Sequence, residues 1–406
     1  MARASSSMYL HPWDVVDEGP DSVLEHITAA GIKTVNLATS YHSGRYLLQH
    51  NPKKMVYFAE EGVVYFEPKP DYFRKGVLKP RRSTEYKDVD VLALLLKHAK
   101  GFGVKVNSWT VTLHNSAFAL SHPEMALIDA FGGVNQNYLC PNNPEARKYH
   151  SALVRNLLDY DLNAIMLESS SFPTGMQHGD HHEMFGGQIE PLPSELMTVC
   201  FCKHCADGAK RRGIDLPGSR KLVRDIIETS FGLPASVLRS TPFSETLRTS
   251  YVLSTDLEQL RDIQGFQRET VSDVFSEARE TIRDSGSKTK LNVITYGGFS
   301  GEHVFGRGAE GVSLPKLAGI VDGIDLVVYV SEPEVVHYLV KWCAFEARGC
   351  PIYAAFRPAY PVLFSREGVV DSVRNAFEAG ASGVAFYNYG WTPLRNFEWI
   401  KDSLKG

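Results

Sequence analysis

Five times along the chain a helical pattern ends at a glycine and turns at once into a short apolar run: AAGIKTVN, GFGVKVN, VDGIDLVV, ARGCPIYAAF and EAGASGVAF. Glycine closes a helix by taking the left-handed conformation that the last turn requires. A run rich in β-branched residues directly after it reads as a buried strand. Eight runs fit that description: Met8–Trp13, Lys33–Thr39, Val104–Leu113, Asn163–Leu167, Leu291–Tyr296, Asp325–Val330, Ile352–Phe356 and Gly383–Asn388. Helical periodicity fills the gaps, as in Pro20–Ala30, with Val23, Ile27 and Ala30 on one face, and in Glu367–Ala379. Eight parallel strands joined by right-handed crossovers close most simply into an α/β fold of the (β/α)8 TIM-barrel type. An open doubly wound sheet is the alternative, but no GxGxxG or P-loop sequence follows the first run.

The 406 residues are 43% hydrophobic and 22% charged, which suits a packed core and excludes disorder. A net charge of -4 provides no basic field for nucleic acid or an anionic membrane. No apolar run is long enough to span a bilayer, and MARASSSMYLHPW lacks the apolar core of a secretory signal. A cytoplasmic location is the resulting expectation. Residues 8–406 read as a single barrel with two insertions. Met55–Phe66 (MVYFAEEGVVYF) reads as a hairpin turning at Glu60, Glu61 and Gly62. Residues 170–288 form a long insertion between strands four and five. It holds the Cys and His clusters, and its helical part (220–286) suits a lid or an oligomer contact.

In such a barrel the catalytic face is built by residues just past each strand. Here those positions carry Trp13, Asp14, His42, Arg45, His114, Asn115, Glu168, Tyr296, Arg357, Tyr389 and Trp391, with Trp109 on strand three. Carboxylates, cations and aromatic rings together suit a polyhydroxylated substrate, whose hydroxyls need hydrogen-bond partners and whose C–H faces stack on rings. Glu168 ends the apolar run NAIMLE, where a carboxylate is costly unless it faces the mouth or is paired. The plainer reading is an ion pair with an Arg or His of a neighbouring strand. Acid–base work on such a substrate needs a second carboxylate beside it. Glu332, just past strand six, is the provisional partner, with Glu302, Asp14 and Glu183 as rivals. Pro333 and Glu334 read equally well as an ordinary helix start. The segment MQHGDHHEMF supplies His178 and His182 as further sugar contacts, metal binding being the other use of its histidines.

Cys200, Cys202 and Cys205 fall within six residues of a chain with six cysteines. That clustering points to tetrahedral metal binding, zinc in particular, rather than to a disulfide scaffold. Cys140 is the first candidate for the fourth ligand, followed by His204, then Cys343 and Cys350. Four protein ligands would make the zinc structural.

The order Cys140, Glu168, then CFCKHC is similar to that of the zinc-containing family 42 glycoside hydrolases. More broadly, YHSGRYLLQHNP, WTVTLHN, LCPNNPEAR and IMLES resemble glycoside-hydrolase-like barrels. The resemblance implies hydrolysis of a small glycoside or oligosaccharide by two carboxylates, with Glu168 central. Alternatives are a sugar lyase, epimerase or isomerase on the same barrel, and a barrel that binds carbohydrate without hydrolysing it. The expected partner is a small carbohydrate, without nucleic acid or membrane, and a homo-oligomer is left open.

Overall fold

The computed structural model describes residues 5–74, 76–173, 196–231, 258–296 and 310–405. Its eight parallel strands are β1 (Ser5–Leu10), β2 (Thr34–Tyr41), β3 (Lys105–Val111), β4 (Ala164–Glu168), β5 (Lys290–Thr295), β6 (Gly323–Val327), β7 (Ile352–Phe356) and β8 (Gly383–Phe386). Each pairs with the next, and β1 pairs with both β2 and β8, so Ser7 lies beside Thr34 on one side and Ala385 on the other. The sheet therefore closes, and the fold is the expected (β/α)8 barrel. Seven of the strand runs lie within a few residues of where the sequence put them. The first is displaced, because Pro12 starts a helix (Pro12–Glu18) and takes Trp13 out of the strand.

The outer helices start and stop on local chemistry. Asp90 caps Val91–Phe102 by accepting from the Ala93 N–H at 2.8 Å, and Gly103 ends it at φ 64°. Asn143 caps Pro144–Leu157, and Ser365 caps Arg366–Glu378. The long helix Glu258–Asp284 packs on Pro144–Leu157, tied by Arg147 to Glu277 at 2.8 Å, and occupies the crossover between β4 and β5. Two further helices of that insertion, Lys203–Arg211 and Leu216–Phe231, are described; residues 232–257 lie outside the described ones. No helix among the described residues is long and apolar enough to cross a membrane.

The expected hairpin takes a different form. Val56–Ala59 pairs antiparallel with Gly44–Leu47, while Val63–Val64 pairs antiparallel with Ser40 and Tyr41 of β2. The two halves of MVYFAEEGVVYF thus bind different partners. The second half is wholly buried and extends the barrel sheet, whereas the first alternates buried with exposed and belongs to the rim.

Side chains two apart on a strand share a face, and this gives the barrel interior a polar layer. Tyr9, Trp109, Ile294 and Val327 line the mouth, so Ser7, Asn107, Asn292 and Asp325, two residues earlier, point inward beneath them. Asn163 donates to Asn107 at 2.8 Å, Asn107 to Asn36 at 2.8 Å, and Asn36 to Ser7 at 3.1 Å. Across the interior, Asn292 donates to Asp325 at 2.9 Å. Burial outweighs that single bond and pushes the Asp325 carboxyl from 3.8 up to about 7. An Asp that binds its proton more tightly when folded takes stability away as pH rises from the unfolded value through the folded one. Asp325→Asn keeps the bond from Asn292 and removes the ionisation. The variant should therefore gain stability over wild type at pH 8 but not at pH 4, by an amount on the order of 4 kcal/mol, checked by denaturant midpoints at both pH values.

Candidate active site

A cavity of about 350 Å³ lies at the C-terminal ends of the strands, where a (β/α)8 barrel keeps its chemistry. Seven of the sequence candidates line it: His42, Arg45, Trp109, His114, Glu168, Tyr296 and Arg357. Glu168 is the last residue of β4, and Trp109 of β3 donates its indole N–H to the carboxylate. Burial raises the Glu168 pKa and that bond opposes the rise. No Arg or His among the described residues pairs with it, so the ion-pair reading does not hold.

Glu310 is the second cavity carboxylate, and the sequence reading missed it. Thr295, at the end of β5, donates to it at 3.1 Å, and its main-chain oxygen accepts from the Phe172 N–H at 3.0 Å. The next residue, Gly311, sits at φ 75°, where an added Cβ would stand 2.6 Å from the Gln267 carbonyl oxygen. Only glycine lets this loop lie so close to the long helix, which holds Glu310 at the cavity wall. Glu310 is only 8% exposed, and burial pushes its carboxyl up to about 7. The sequence signal was a lone acid before a glycine in GAEGVSLP, distant from any strand end.

Glu332 does not line the cavity. It is the N-cap of helix Pro333–Glu346, its carboxylate accepting from the Ser331 hydroxyl at 2.6 Å, which lowers its pKa. The helix-start reading of that segment describes its local structure.

The remaining walls are aromatic. Tyr41, His42, His114 and Tyr138 form a continuous stack with ring centres 4.3, 4.5 and 4.5 Å apart. Tyr9, Tyr46, Tyr329 and Tyr387 also line it, none of them among the sequence candidates. Arg357, one residue past β7, holds its guanidinium carbon 3.9 Å from the Tyr329 ring centre, 5.3 Å from Tyr387 and 5.4 Å from Trp391. Trp391 touches that cation but is not itself a lining residue.

Four candidates are structural instead. Trp13 is fully buried, stacked on His11 at 4.4 Å and packed against Tyr57 beneath the rim hairpin. Asp14 accepts from the His11 N–H at 2.8 Å and is pushed by burial up to about 8. Asn115 caps helix Ser116–Ser121. Tyr389 is buried and donates to Glu18 at 2.9 Å; the cavity is lined instead by Tyr387, the residue just past β8. His178, His182, Glu183 and Glu302 lie outside the described residues.

Cys140, Cys200, Cys202 and Cys205 form a separate, fully buried cluster in which all four Sγ atoms lie within 4.8 Å of one another. Cys140 stands 3.4 Å from Cys205, 3.6 Å from Cys202 and 3.8 Å from Cys200. These spacings are far too long for a disulfide. Around a tetrahedral ion with 2.3 Å metal–sulfur bonds, sulfurs stand about 3.8 Å apart, so the donor set fits a metal. His204, Cys343 and Cys350 are not part of it.

No protein-family model matches the chain, and no curated protein sequence is similar to it. Its likeness is to solved structures. The α-L-fucosidase isoenzyme 2 of Paenibacillus thiaminolyticus matches with a TM-score of 0.59 and 11% identity, over 100% of this chain and 49% of its own. A family 42 (GH42) β-galactosidase, Gan42B, matches with a TM-score of 0.57 and 11% identity, over 100% of this chain and 56% of its own. The catalytic domain of the Paenibacillus polymyxa β-amylase gives a TM-score of 0.57 and 12% identity, over 98% and 97%. The chain spans about half the length of the fucosidase and the galactosidase. At these identities the shared feature is the fold: the protein is a (β/α)8 barrel of the kind found in glycosidases.

Trp109→Phe keeps the ring and deletes the only indole donor to Glu168. The Glu168 pKa should rise further, because the bond that favours its anion is gone, read by NMR titration of labelled glutamate side chains.

Proposed function

We propose that the protein is a glycoside hydrolase acting on a small glycoside or oligosaccharide. The observation that carries this is the pair Glu168 and Glu310 on one aromatic-lined cavity, both with pKa values raised by burial. Glycosidic bonds are cleaved by two such carboxyls, one protonated and one ionised. Glu310, pushed up to about 7 and bonded by the Thr295 hydroxyl, suits the acid that protonates the leaving oxygen. Glu168, whose anion the Trp109 N–H favours, suits the carboxylate that faces the anomeric carbon, as nucleophile or as base to water. The ring stack from Tyr41 to Tyr138 offers faces for the sugar. The fucosidase, galactosidase and amylase among the similar folds agree with this reading.

The cysteine cluster, in this reading, binds structural zinc. With four protein thiolates no position stays open for substrate, so the ion would pin the segment after β3 to the insertion after β4 and supply no Lewis acid.

A panel of α- and β-nitrophenyl glycosides tests the enzyme. Wild type should release nitrophenol, and Glu168→Gln and Glu310→Gln should each lose at least about a hundredfold in kcat. The wild-type rate should fall as pH rises through about 7, where Glu310 loses its proton. Full turnover by either folded variant would remove that residue from the mechanism. The zinc assignment predicts one zinc per chain by elemental analysis of purified protein, and a lower melting temperature for Cys202→Ser. Metal-free protein with four free thiols and an unchanged melting temperature would overturn it.

A further inference from the structure

Arg357 carries a charge that no carboxylate among the described residues answers. Several arginines elsewhere in the protein are paired with carboxylates: Arg147 with Glu277, Arg212 with Asp273, Arg279 with Asp322 and Arg366 with Asp402. The arginines lining the cavity, Arg45 and Arg357, form no such pair. Arg45 is exposed and water answers its charge. Arg357 is half-buried, and its Nε is cut off from water without a hydrogen-bond partner. Neither Glu168 nor Glu310 approaches it within ion-pair distance, although both share its cavity. Aromatic faces compensate a cation only in part.

We propose that the sugar bound in this cavity carries a carboxylate, as a hexuronic acid does, and that Arg357 is the residue that recognises it. This rests on the carbohydrate reading above and narrows it to an acidic sugar. A neutral hydroxyl could accept a hydrogen bond from the guanidinium but would bring no opposite charge to a half-buried cation whose Nε water does not reach. A carboxylate supplies the opposite charge together with two coplanar acceptors, matching the planar donor fork. The Tyr329 face 3.9 Å away orients that fork before the ligand arrives. Burial also favours the neutral form of Glu310, the acid of the proposed reaction, so an anionic sugar meets the charge of one cavity glutamate rather than two.

Calorimetric titration of the full chain with D-glucuronate, D-galacturonate, D-glucose and D-galactose decides the matter. A uronate should bind at least about tenfold more tightly than its neutral counterpart, the gain expected of a charge-assisted contact. Arg357→Gln should bring that ratio close to one, and Arg357→Lys, which keeps the charge but not the fork, should leave it intermediate. Neutral sugars binding as tightly as uronates would overturn the acidic-sugar inference and leave the glycosidase reading standing. Binding of none of the four would overturn the acidic-sugar inference, and the nitrophenyl panel would then decide the glycosidase reading separately. Tighter binding of glucose 6-sulfate than of glucuronate would overturn the carboxylate, and a preference that survives Arg357→Gln would overturn the role of Arg357.

Discussion

Closure of the sheet between β8 and β1 is the constraint from which the site follows. Once Ser7 is in register with both Thr34 and Ala385, the inward side chains of all eight strands converge on one axis. Period two then decides which residue of each strand takes part. It turns Trp109 inward, where its N–H meets Glu168; Tyr387, just past β8, keeps that inward face, whereas Tyr389 lies in the turn beyond the strand and donates to Glu18. Parallel strands also point every C-terminus the same way, so residues far apart in the chain share one small volume.

That volume is bounded below by polar groups rather than by the branched aliphatics that usually fill a barrel. The asparagine chain from Asn163 to Ser7 satisfies its own hydrogen-bonding groups and places dipoles under the cavity. Asp325, Glu310 and Glu168 sit in or above this layer, and burial raises all three. Groups held near neutrality in a water-poor pocket are the raw material of acid–base chemistry, and their burial lowers the stability of the fold at high pH.

The periphery is organised by different physics. The cysteine cluster joins the end of the β3 excursion to the β4 insertion through four buried sulfurs. The rim strands Gly44–Leu47 and Val56–Ala59 cover Trp13 and carry Arg45 and Tyr46 to the mouth. In both places segments remote in sequence are fastened beside the cavity without being part of the barrel.

The barrel, its strand order, Glu168 and the four cysteines were all legible in the sequence. Glycine caps, β-branched runs and clustered thiols are local signals, and neighbours along the chain suffice to produce them. Much of the site was not legible. Glu310 reaches the cavity because Gly311 allows the loop against a helix some forty residues earlier in the chain, a close approach that no local pattern encodes. Glu332 looked catalytic by its place after β6 but stands at a helix start outside the cavity, while Trp13, Asp14, Asn115 and Tyr389 are taken up by packing, capping and buried hydrogen bonds. Position after a strand is a one-dimensional property. Direction, burial and pKa depend on what the closed barrel brings alongside, and only the tertiary structure decided them.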